Sequence, residues 1–145
     1  MKTSLKVVLL VLLFAGFTTN AQKKTITVKE LPQTAQTFIT NNFKGQTVSS
    51  AVKDKEFMDT DYTVQLSGGF KLEFDKNGNW EEVNGNGKAV PAAIIPKNIA
   101  DYVAKTQKGH KIIKIEKEKM GYDVDLSNGL GLDFDSNGKF LKVDD

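Results

Sequence analysis

The chain has 145 residues, with 20 Lys and no Arg against 18 Asp plus Glu, one His and no Cys. That inventory excludes disulfides, a Cys–His nucleophile pair and a His- or Cys-rich zinc site. Two of the Lys fall in an N-terminal leader, so the rest of the chain sets 18 Lys against 18 carboxylates; without excess charge or Arg forks, nucleic-acid binding is a poor expectation.

Residues 1–21 read as a signal peptide. Lys2 and Lys6 precede an apolar run from Val7 to Phe17, and Thr19-Asn20-Ala21 supplies small residues for cleavage before Gln22. The run is shorter than the roughly 20 apolar residues a membrane span needs. No Cys follows it to carry a lipid. The expectation is an exported protein, periplasmic or secreted, with no membrane span in the mature chain 22–145. That length suffices for a single domain.

The remainder is written twice. Residues 31–84 and 95–145 follow one template, joined by a turn-rich connector, 85–94, that contains Pro91. Each copy opens on a helix. Leu31, Ala35, Phe38, Ile39 and Phe43 recur at helical spacing between Pro32 and Gly45; Ile95, Ile99, Tyr102 and Val103 repeat the stripe before Gly109. An extended, Val- and Ile-rich stretch follows, 46–56 and 110–120, and ends in the second copy on Glu116-Lys117-Glu118-Lys119. Upstream the copies are offset by 64 residues and downstream by 60, so the first carries four extra residues near Phe57–Asp61.

The clearest repeat is YTVQLSGGFKLEFDKNGNW (62–80) against YDVDLSNGLGLDFDSNGKF (122–140). Strict alternation predicts strand pairs with one apolar and one polar face. Parity selects a three-residue turn at Ser67-Gly68-Gly69, since only that turn pairs Tyr62 with Phe74 and Val64 with Leu72. Ser127-Asn128-Gly129 repeats it. The second turn, Asp-x-Asn-Gly, admits two readings. A two-residue turn on Asn77-Gly78 pairs Leu72 with Val83 and puts Trp80 on the polar face; a three-residue loop puts Trp80 beside Phe74. The matching pairs Phe134–Leu141 and Leu132–Val143 favour the first. The expected fold class is α+β: a tandem duplication of a helix-plus-four-strand unit, giving an eight-stranded antiparallel sheet with two helices on one face and the other face open.

No reaction is legible. His110 is alone, and no Ser stands in a nucleophile elbow, so the expectation is no enzyme and no cofactor. The polar face of the second copy is acidic: Asp123 falls opposite Asp133, with Asp125 and Asp135 beside them. Like charges across a strand pair destabilise unless something offsets them, which suggests a Lys- or Arg-bearing partner, or Ca²⁺ at Asp123 and Asp133. The alternative is a solvated face neutralised by Lys such as Lys142. Trp80 and Phe140 join the partner-binding candidates if they lie on that face.

The pattern Leu/Ile-Pro, helix, Tyr-x-Val-x-Leu-x-x-Gly, Phe-Asp-x-Asn-Gly-x-Trp/Phe resembles the PepSY-like family of β-lactamase-inhibitor-like secreted bacterial proteins. The resemblance implies a tandem fold similar to β-lactamase inhibitory protein, whose curved sheet holds a partner enzyme. It also implies kinship with domains proposed to restrain peptidases. The expected function is therefore a non-enzymatic binding protein engaging a protein or peptide, a peptidase or other envelope enzyme among the options, on its open face. The alternative is a protein that binds Ca²⁺ or a small ligand through the Asp cluster.

Overall fold

A computed structural model describes residues 22–144; the leader, 1–21, lies outside the described residues. Nine antiparallel strands form one open sheet in sequence order: β1 Gln22–Ile26, β2 Val48–Glu56, β3 Asp59–Leu66, β4 Lys71–Phe74, β5 Trp80–Asn84, β6 Ile112–Glu118, β7 Gly121–Leu126, β8 Gly131–Asp135 and β9 Phe140–Asp144. Helix α1, Gln33–Asn42, precedes β2, and α2, Lys97–Thr106, precedes β6. The helix-plus-four-strand unit is thus present twice. The ninth strand, β1, comes from residues ahead of the first copy and pairs with β2 from Gln22↔Lys55 to Ile26↔Ala51.

Each helix uses its apolar stripe to cover the sheet. Leu31, Ala35, Ile39 and Phe43 are buried, as are Ile99 and Val103. Pro32 and Pro96 stand at the N-caps, where their missing N–H groups leave no helical bond unmade. Phe38 on α1 packs edge-on against Phe74, with ring centres 5.7 Å apart, and Tyr102 on α2 meets Phe134 in the same way at 5.5 Å. Both helices lie on one face, and the core runs unbroken beneath them across the two copies.

The parity argument holds at the first turn of each copy. Tyr62 pairs with Phe74, Val64 with Leu72, Tyr122 with Phe134 and Val124 with Leu132. The Leu66 N–H donates to the Phe70 carbonyl at 2.9 Å, and Gly69 takes the left-handed φ of +91° that this turn requires. Leu126 and Gly129 repeat the arrangement.

The second turn corrects the favoured reading. It is a three-residue loop closed by the Asp75 N–H donating to the Asn79 carbonyl. Phe74 pairs with Trp80, yet Leu72 still pairs with Val83, because a β-bulge at Glu81 absorbs one residue. Leu141 is the extra residue in the second copy, between Phe134↔Phe140 and Asp133↔Lys142. Both pairings coexist, and the bulge returns Trp80 and Phe140 to the helix side. Trp80 stacks on Phe38, and Phe140 stacks on Tyr102 at 4.6 Å.

Candidate functional site

The open face is acidic far beyond the second copy. One row of directly opposed residues runs Thr63, Glu73, Glu82, Glu116, Asp123, Asp133, Lys142. Five carboxylates thus stand side by side on β4 to β8, crossing from one copy to the other at the Glu82↔Glu116 pair. The next row carries Lys71, Asn84, Lys114, Asp125, Gly131 and Asp144. Strand alternation adds Glu118 and Asp135, and the β2–β3 hairpin adds Asp54, Glu56, Asp59 and Asp61. Against these carboxylates the face holds, among the described residues, the ammonium groups of Lys23, Lys71, Lys114 and Lys142.

Two lysines hold the centre together. Glu82 is the buried charge of this row, 7% exposed, and lies 3.3 Å from Lys71 and 3.7 Å from Lys114. Lys71 also reaches Glu73 at 2.8 Å, and Lys114 reaches Glu116 at 3.0 Å. The hydrogen bond to Glu73 is the main cause that raises the Lys71 pKa. Burial pulls Lys114 down, but Glu116, Glu82 and Asp125 outweigh it and leave its pKa raised. These pairs fasten the copies to each other through Glu82.

The β7–β9 end is less well compensated. Asp123, Asp133 and Asp144 come from three adjacent strands, and one carboxylate oxygen of each lies within 4.8 Å of the others. Lys142 lies 3.2 Å from Asp133 and 3.8 Å from Asp144, so it neutralises that side. Among the described residues Asp123 has no such partner. Its Oδ1 is buried without a hydrogen bond, and burial, followed by Asp125, raises its pKa against the pull of Lys114. Two oxygens bound to one Ca²⁺ at 2.3–2.6 Å are at most about 5 Å apart, so the triad could hold that ion. A shallow groove of about 280 Å³, bounded by Glu118, Met120 and Leu141, opens onto it.

The structure brings Asp123, Asp125, Asp133 and Asp135 onto one face, as the alternation predicts, and separates them from Trp80 and Phe140. Asp135 is partly occupied with its own turn, accepting from the Asn137 and Lys139 N–H groups at 2.9 Å each. Asp75 does the same with Asn77 and Asn79; burial raises its pKa, but those bonds prevail and leave it lowered. Asp-x-Asn-Gly is therefore a turn device here. Sequence reasoning missed Asp144, although Leu132 opposite Val143 already implies Gly131 opposite Asp144. It also missed Glu82, which Leu72 opposite Val83 already sets against Glu73, and Glu116, because nothing in either repeat says which strands meet between the copies.

Solved structures share this fold, among them the following three. One, 41% identical with a TM-score of 0.81, is described as a "putative calcium-regulated periplasmic protein" of Bacteroides thetaiotaomicron; the match covers 85% of this chain and 97% of that one. A Bacteroides vulgatus periplasmic protein of the DUF2874 family is 43% identical with a TM-score of 0.81, covering 86% of this chain and 98% of its own. Another protein of B. vulgatus, described as periplasmic and of unknown function, is 36% identical with a TM-score of 0.82, covering 86% and 100%. No curated protein matches the chain. These periplasmic neighbours support an exported location, and among the described residues no helix is long and apolar enough to cross a membrane. The family model described as "Putative beta-lactamase-inhibitor-like, PepSY-like" matches residues 17–72 and again 60–142, and the chain belongs to that PepSY-like family.

Proposed function

We propose that this is an exported, non-enzymatic binding protein whose uncovered sheet face holds a partner protein or peptide presenting Lys and Arg side chains. The observation that carries this reading is the unbroken row Glu73, Glu82, Glu116, Asp123, Asp133 on a chain that is formally neutral once the leader is set aside. Like charges directly opposed across strands destabilise a sheet. A fold that needed only a solvated face could alternate their signs. A cationic partner turns the repulsion into attraction, and the one-signed face steers its approach. With Trp80 and Phe140 on the helix side, Asp123, Asp125 and Asp133 are the contact residues this reading keeps. A peptidase or other envelope enzyme with a basic surface is a partner of the required chemistry.

A ten-residue oligolysine tests the reading, with oligoglutamate as the control. It is expected to bind at low ionic strength and weaken steeply with salt. The double variant Glu116→Gln/Asp133→Asn should lower its affinity about tenfold, at under about 1 kcal/mol per exposed charge pair. Equal affinity for the variant and the parent, with unchanged circular dichroism, overturns the proposal.

A second reading is favoured by the Asp123, Asp133, Asp144 triad and by the relative described as calcium-regulated. In this reading Ca²⁺ occupies the triad and displaces the Lys142 ammonium. Extracellular Ca²⁺ sites bind at roughly 10⁻⁴ to 10⁻³ M, so 10 mM Ca²⁺ should stabilise the fold by about 1.5–2.7 kcal/mol and raise Tm by several degrees. Asp133→Ala should abolish the rise, whereas 10 mM Mg²⁺ should not reproduce it. A flat Tm across a Ca²⁺ titration rules the ion out.

A further inference from the structure

The two copies differ most at one hairpin. In the first, β2 has 9 residues and β3 has 8; in the second, β6 has 7 and β7 has 6. The four extra residues are thus shared equally between the two strands, and they push the tip out beyond the end where the second copy turns. On that tip Phe57 is 93% exposed and Met58 86% exposed, and Met58 adopts a φ of +67°, uncommon for a residue other than Gly, Asn or Asp. Directly behind it two like-charged pairs share the open face, Asp54↔Asp61 and Glu56↔Asp59. The second copy has Glu118 opposite Gly121 at the corresponding place and makes no such pair.

Exposed Phe57, the left-handed backbone of Met58 and the paired carboxylates each disfavour the isolated fold, and none is needed to close the sheet: the second copy has Lys119 in place of Phe57 and shares only an exposed methionine, Met120, at its tip. Apolar side chains stay in water, and two pairs of like-charged carboxylates face each other across the strands. Asp54 has one ion pair, with Lys23 at 3.4 Å, and its Oδ1 is buried without a hydrogen bond. The arm is also braced. β1 pairs with β2 as far as Lys55, so a three-stranded ribbon supports the tip to within two residues of Phe57. A stiff arm with an apolar end and acidic flanks has the form of a plug.

We infer that the β2–β3 arm is a protein-docking element, with Phe57 and Met58 entering an apolar pocket on the partner and Asp54, Glu56, Asp59 and Asp61 meeting Lys or Arg on that pocket's rim. The chemistry selects a protein over a bilayer. Inserting the tip into lipid would carry four carboxylates into the headgroup layer, where their desolvation opposes entry. A basic rim removes that opposition and neutralises both like-charged pairs. The arm is separate from the five-carboxylate row, so it adds a second, shape-specific contact to the charge-led one proposed above.

Photo-crosslinking in the cells that make the protein tests this. Benzoylphenylalanine replaces Phe57 in the full chain, and a parallel chain carries it at Lys119, the tip of the other hairpin. The expected result is one protein adduct of fixed mass from position 57 and little from position 119, with the crosslinked residue mapped to an apolar pocket bordered by Lys or Arg. Asp54→Asn/Glu56→Gln/Asp59→Asn/Asp61→Asn in the same chain should cut the yield at least fivefold. Equal yields from the two tips overturn the inference, as do a smear of unrelated adducts or a yield that ignores the four substitutions. Flotation of the chain with phosphatidylethanolamine–phosphatidylglycerol vesicles would assign the tip to lipid instead. Glu116→Gln/Asp133→Asn leaves the arm untouched, so its effect on oligolysine binding tests the open-face reading independently.

Discussion

Phe74→Ala is expected to remove about 4 kcal/mol of stability and lower Tm by roughly 15 °C, which a urea titration and calorimetry would read. Phe74 is fully buried at the centre of the first copy, flanked by Phe38 at 5.7 Å and paired with Trp80 across the sheet. Truncation removes the transfer free energy of the ring and leaves a hole that Phe38, held on its helix, cannot fill. Phe134 occupies the same place in the second copy, 2% exposed and 5.5 Å from Tyr102. Phe134→Ala should therefore cost about as much, and the two act as internal replicates. Because the core is continuous and Glu82 ties the copies together, either variant should unfold in one transition. Two separated transitions, or a loss below about 1.5 kcal/mol, would contradict the single shared core.

Much of this was legible because alternation and turn chemistry agree with the final packing. Tyr62, Val64 and Leu66 could pair with Phe70, Leu72 and Phe74 in only one way that kept the faces apart, and they do. Asp123 opposite Asp133 followed from the same parity. The rest was hidden for identifiable reasons. Gln22–Ile26 carries a single buried side chain, Ile26, so nothing in its pattern marks a strand; it pairs because β2 extends along the lengthened hairpin and offers an edge. Trp80 was misplaced because a parity argument assumes an unbroken period of two, and the bulge at Glu81 breaks it. The five-carboxylate row spans a junction, β5 against β6, that lies between the repeats, so comparing them could not reveal it.

The Asp-x-Asn-Gly turns support a second large effect, with a built-in ranking. Gly78 has φ +84°, and a Cβ there would come within 2.7 Å of the Pro32 Cβ and 2.8 Å of the Ala35 backbone nitrogen. Gly78→Ala therefore combines a left-handed penalty of about 1–2 kcal/mol with an overpacking penalty of similar size, for a total near 3 kcal/mol. The contact lies against the first turn of α1, so the helix must lift or the turn must open. Gly87, at φ +90° with nothing within 4 Å of an added Cβ, isolates the backbone penalty alone. Gly138 is intermediate: φ +77°, with the Asn98 Cβ at 3.0 Å. The expected order of destabilisation is Gly78→Ala, then Gly138→Ala, then Gly87→Ala, measured by chemical denaturation. Equal losses at Gly78 and Gly87 would show that the turn does not bear on the helix. The Gly-for-Ala exchange would then measure only handedness, and the repeated Asn-Gly would be explained by the hairpin alone.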